Sequence, residues 1–194
     1  MVLAPACALL PLACATSGRV LAPENRLTFP AYSVVVPLDQ GWQLLQLDRE
    51  NSSADVALTV SEPTSMVFRM QFMQIGIAAQ YLRQLTAGGV ADHYRRQGER
   101  NLRILGTQKG WRIDGVAMGE DAIGPNHFFT ARFEFQSATH REAVWEFLYF
   151  PRAEKNERFI RARYSETTPP GVSASSSSRY ADFLEALKSL RMDK

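Results

Sequence analysis

Cysteine is nearly absent from this 194-residue chain: there are two, Cys7 and Cys14, both close to the N-terminus. Two cysteines do not make a disulfide framework, which needs at least four. Histidine is scarce as well. His93, His127 and His140 stand far apart, with no pair at helical ligand spacing, so no metal site is assigned from spacing. An excess of one charge is missing: 22 Lys and Arg face 20 Asp and Glu, a net charge of +2. That surplus is too small to argue for nucleic-acid binding, and none is expected. The motifs of nucleophile elbows, zinc proteases, phosphate-binding loops and dinucleotide folds are all absent, so no catalytic residue and no cofactor is assigned. What is present is ordinary. Hydrophobic residues make up 45% and charged residues 22%, close to the globular average. Disordered, collagen-like and multi-span membrane chains are excluded, and one domain with a short appendage fits the length.

The appendage is the first stretch. Residues 2–15 (VLAPACALLPLACA) are small and apolar, with no charge before Arg19. The run is shorter than the ~20 residues that span a bilayer as a helix. Pro5 and Pro11 also oppose a buried helix. Short apolar segments that end at small residues read as secretory leaders. The end of this one, Leu10-Pro11-Leu12-Ala13-Cys14, resembles the lipobox of bacterial lipoproteins. That resemblance implies a lipid on the Cys14 thiol and cleavage before it. Pro11 stands where the motif prefers an aliphatic residue, and no Lys or Arg precedes the apolar run. The signal segment, residues 1–13, is therefore expected to be incomplete, with its true start upstream of Met1. The alternative is a plain secretory cut near Ala13-Cys14-Ala15. A mature chain with Cys14 blocked has no disulfide, so its core must stabilise it.

Residues 14–30 are small, polar and punctuated by proline, and they are expected to form a lipid-anchored tether. The domain is expected over 31–194. Tyr32–Val36 reads as a strand, the Asp39–Gly41 region as a turn, and Trp42–Leu47 as the second strand of a hairpin. Further strands are expected over 55–60 and 65–75. In the latter Met66, Phe68, Met70 and Phe72 share one face, and Arg69 and Gln71 the other. The period then changes to that of a helix over 77–105, interrupted at Gly88-Gly89 and stopped at Gly106. A strand over 111–118, a loop over 121–126, and strands over 127–136, 143–150 and 158–164 follow, the last three as an antiparallel meander. Residues 167–178 (TTPPGVSASSSS) read as a flexible loop. A closing helix over 179–191 has Ser178 as its N-cap and Tyr180, Phe183, Leu184 and Leu187 as its inner stripe.

An opening strand running into Pro37 and Gly41-Trp42, a central helix before antiparallel strands, and a closing helix ending Ser189-Leu190-Arg191 together resemble the PsbP-like superfamily. The resemblance covers roughly residues 31–192. It implies an α+β fold, an antiparallel β-sheet flanked by helices, preceded here by the signal and lipobox segment. Bacterial members include small envelope lipoproteins. No single activity follows from it, because one fold hosts many functions.

One charge bias stands out. Between Tyr81 and Arg112 there are seven Lys and Arg against Asp92 and Glu99. Arg83, Arg95, Arg96, Arg100 and Arg103 form a candidate basic contact face toward anionic lipid or an acidic partner; a solvated helix face is the plainer alternative. The expected function is a non-catalytic accessory or binding module. It would be held in the bacterial cell envelope by a lipid anchor at Cys14, on the outer membrane facing the periplasm, with an envelope protein as a possible partner. The alternatives are a carrier of a small apolar ligand and a hydrolase with a dispersed site.

Overall fold

The computed structural model describes residues 21–47, 55–62, 65–76, 90–150, 158–172 and 178–192. Cys7, Cys14, Arg83 and the Gly88-Gly89 interruption lie outside them.

The described chain forms two sheets and two α-helices. Strands β1 (Arg26–Thr28), β2 (Tyr32–Val35) and β10 (Arg191–Met192) make a small sheet in the order β1-β2-β10. Strands β3 (Gln43–Leu47), β4 (Val56–Glu62), β5 (Met66–Gly76), β6 (Arg112–Ile123), β7 (Asn126–Gln136), β8 (Arg141–Tyr149) and β9 (Arg158–Thr168) make a seven-stranded sheet in the order β3-β4-β5-β9-β8-β7-β6. Every neighbouring pair in both sheets is antiparallel. Helix α1 (Val90–Lys109) packs on β6 and β7, and helix α2 (Ser178–Ser189) packs on β2, β6 and β9. The fold is α+β, as expected.

Side-chain alternation along the strands builds a core on each face of the large sheet. On the α2 side, Phe68, Met70 and Phe72 of β5, Phe147 of β8 and Ile160, Ala162 and Tyr164 of β9 meet Phe183, Ala186 and Leu187. The space there is filled by rings: Tyr164 and Phe183 stack at 5.5 Å, and Phe72 and Phe147 lie 6.0 and 5.6 Å from Phe183. On the other side a smaller core joins Ala131, Phe133, Phe135 and Val144 to Leu102 of α1 and to Trp111. Each of these aromatics contributes roughly 1.5–3 kcal/mol by leaving water.

Four expectations are corrected. Tyr32–Val36 and Trp42–Leu47 do not form a hairpin: β2 pairs with β1 and β10, and β3 pairs with β4. All four residues of β2 are buried, so both its faces are covered, whereas a hairpin at a sheet edge would leave one open. The folded body begins before Ala31. Residues 21–30, expected as tether, contain β1 and bury Leu21 and Phe29, whose ring stacks on Tyr32 at 4.8 Å. Gly106 does not stop α1. The helix runs to Lys109, and Gly110 (φ +65°) ends it. Gly110 N–H donates to the Thr107 carbonyl (3.4 Å) and Trp111 N–H to the Gly106 carbonyl (2.9 Å), the paired bonds of a Schellman cap. Finally, residues 121–126 are not a loop, because β6 and β7 extend into it and leave only Gly124 and Pro125 as the turn.

The residues that carried the family resemblance are joined in space. Gly41 (φ +83°) closes the 3-10 turn Leu38–Gln40, which drives the Trp42 ring into the core. Its indole N–H donates to Asp182 Oδ2 of α2 at 3.0 Å. Arg179 lies 3.7 Å from the same carboxylate oxygen, donates to the Gln40 carbonyl at 2.7 Å and contacts Glu62 at 3.3 Å. At the far end of α2, the Val35 N–H donates to Ser189 Oγ at 2.7 Å, Leu190 is buried, and Arg191 pairs with Ser33.

Candidate functional surfaces

The basic face expected on the central helix is partly placed. Arg96, Arg100 and Arg103 are exposed on α1 and share a shallow depression with Glu99 and Ile104. Arg103 donates to Glu99 at 2.7 Å, one turn back, and an exposed pair of this kind contributes at most a few tenths of a kcal/mol. Ile104 is 46% exposed beside these arginines. Arg95 belongs to α1, but its side chain is outside the description, as is all of Arg83. Of the five expected residues, three therefore share one surface.

The histidines stand as surface groups where they are described. His127 lies 3.4 Å from Glu120, both half exposed. The ring of His140 sits 3.1 Å from Ser137 Oγ in the β7–β8 turn. Among the described residues no three His, Cys, Asp or Glu side chains gather as a metal site, and no helix is long and apolar enough to cross a membrane.

Among the described residues, the sequence did not foretell the clefts, two of which gather polar groups beside aromatic rings. The first opens beside the C-terminal end of α1, on the same face of the large sheet. Its hollow, about 230 Å³, is lined by Arg69 and Gln71 of β5, Arg163 and Ser165 of β9, Glu142 of β8, and the rings of Trp111 and Phe135. Register explains the grouping, since Arg69 lies opposite Ser165 and Gln71 opposite Arg163. On the same face the arginines of β9 meet carboxylates of β8. Arg163 is 3.6 Å from Glu142 and Arg161 is 3.8 Å from Glu146. Arg69 is flanked instead by Thr59 and Ser165 and has no carboxylate partner among the described residues. Trp111 and Phe135 close the apolar side, with ring centres 5.2 Å apart.

The second cleft, about 270 Å³, lies on the α2 side, where β6 and β7 run beyond the helix. The small residues Ala117 and Gly119 form its floor, and Asp121, Thr130, Arg132, Trp145 and Tyr180 its walls. The Arg132 guanidinium sits over the Trp145 ring at 5.1 Å, a cation–π contact. Burial, with the Asp121 charge nearby, pushes the Tyr180 phenol up to about 12.

The alternation of Arg69 and Gln71 was visible as a polar face of β5, and the Arg-x-Arg of β9 repeats it. Which strands would lie side by side was not visible.

No family model matches the chain, and no curated protein does. Among solved structures it is similar to a crystallised protein of Bacteroides thetaiotaomicron, at 14% identity and a TM-score of 0.38, over 84% of this chain and 45% of that one. The chain thus spans less than half the length of that protein.

Proposed function

We propose that this protein is a bacterial envelope lipoprotein: a leader ending before Cys14, lipid on that sulfur, and one PsbP-like domain acting as a non-catalytic accessory module on the periplasmic face of the outer membrane. The observation that carries the contact surface is the outer side of α1, where Ile104 is 46% exposed beside Arg96, Arg100 and Arg103. An apolar side chain among guanidinium groups suits an anionic headgroup layer, to which each arginine near the surface adds about 1 kcal/mol. The Trp42–Asp182 bond and the seating of Ser189–Arg191 on β2 support the PsbP-like reading, because they give its loose sequence marks a common structural task. The filled interface between sheet and α2 favours a module over a carrier of apolar ligands.

The test uses the full chain with Cys14→Ala, so that no lipid anchors it. Co-sedimentation is measured with vesicles of phosphatidylcholine alone and with added phosphatidylglycerol. Binding is expected only to the anionic vesicles, weakening with salt as charges are screened and lost in Arg100→Glu/Arg103→Glu. Equal binding to both vesicle types would overturn the electrostatic contact.

A further inference from the structure

We infer that the cleft beside the end of α1 is a binding site for a small aryl carboxylate. Three observations converge. The first is a guanidinium in excess. Arg163 has Glu142 at 3.6 Å, while Arg69 faces the same hollow with no carboxylate partner among the described residues. Two cations against one anion leave the hollow with one positive charge to balance, which matches a monoanion and leaves a dianion under-neutralised. The second is the donor set. Two planar guanidinium forks are joined by the Gln71 amide and the Ser165 hydroxyl, and guanidinium forks suit the planar carboxylate. Ser165 is 4% exposed and sits directly opposite Arg69, so the donors are gathered at one end of the hollow. The third is the opposite wall, where the half-buried Trp111 ring, packed on Phe135, supplies the apolar side. At about 230 Å³ the hollow is smaller than the ~300–1,000 Å³ of drug-sized sites, so a single-ring acid fits the scale.

The site is built on strands, and Trp111 is fixed by the cap that ends α1. It is independent of the membrane face, because Arg96, Arg100 and Arg103 do not line it.

Benzoate is the probe, titrated into the full chain and followed by calorimetry and by the indole N–H resonances in NMR. Benzamide, neutral and of the same shape, and inorganic phosphate are the comparators. Benzoate is expected to saturate with a Kd in the ~1 mM range or tighter. It should move the Trp111 indole signal and leave that of Trp42, which is buried against Asp182. Arg69→Gln is expected to weaken it about tenfold or more, Arg69→Lys less, and Arg100→Gln not at all. Circular dichroism confirms that each variant is folded; Arg69 is exposed, so its loss leaves the core untouched. Absence of saturation by ~10 mM benzoate, equal binding of benzamide, tighter binding of phosphate, or unchanged binding in Arg69→Gln would each overturn the assignment.

Discussion

At the scale of single residues, the structure gives physical reasons for positions whose type alone says little. Gly106 lies inside α1, where alanine is ordinarily better by about 1 kcal/mol. A Cβ there would meet Ile113 side-chain atoms at 2.8 and 2.9 Å and the Trp111 carbonyl oxygen at 3.1 Å. Overpacking of this kind costs about 1–3 kcal/mol, so Gly106→Ala is expected to lower the denaturant midpoint in spite of the helix preference. Asp182, fully buried, takes the Trp42 indole N–H. Trp42→Phe keeps a ring and removes that donor, and a loss of about 1–3 kcal/mol in unfolding free energy is expected. Tyrosine chemistry sets the alkaline limit. Burial, then the charge and hydrogen bond of Asp55, raise the Tyr32 phenol well above its usual range, and Tyr180 is raised to about 12. The unfolded chain releases these protons near pH 10. The folded chain binds them more tightly, so stability is full below about pH 10 and falls as pH rises through the folded values. Denaturant midpoints at about pH 9 and about pH 11 should therefore differ, and Tyr32→Phe should narrow the difference.

At the scale of elements, the tie between β7 and the end of α2 comes first. Asn126, buried at the start of β7, donates to the Leu190 carbonyl at 3.1 Å and to that of Leu187 at 3.4 Å. It adds to the Leu190 N–H bond on the Leu187 carbonyl (3.2 Å) and gives the Leu190 carbonyl a donor. Asn126→Ala is expected to cost about 1–3 kcal/mol by thermal or denaturant unfolding. The outer edge of the large sheet behaves differently: β3 exposes Leu44, Leu45 and Leu47, with Leu45 at 60%. Bare apolar edges promote pairing between chains. Leu45→Lys is expected to reduce self-association in light scattering while leaving the melting temperature within the scatter of surface changes. The strand stripes were legible, since Phe68, Met70 and Phe72 alternate with Arg69 and Gln71 and local periodicity reports burial. The fate of β2 was not. Its partner β10 comes from the other end of the chain, and no local pattern announces that both faces of Tyr32–Val35 are covered. The end of α1 is hidden for a related reason: Gly106 and Gly110 look alike in sequence, and only the cap bonds donated by Gly110 and Trp111 distinguish them. Arg69 stands out only once its cross-strand neighbours are known.

At the scale of the whole molecule, the described body starts by Leu21, so the proposed tether from Cys14 would be shorter than the 14–30 span that composition suggests. On that proposal the domain would sit close to its anchor, which is where an outward face carrying Arg96, Arg100, Arg103 and Ile104 would be of use. The proposed location rests on the anchor, and intact mass spectrometry of the protein recovered from membranes, with sequencing of its N-terminal peptide, decides whether it exists. The expected result is a mature chain that begins at Cys14 and carries the mass of acyl groups on that residue. A chain recovered in the soluble fraction with Met1 in place and a free Cys14 thiol would contradict it.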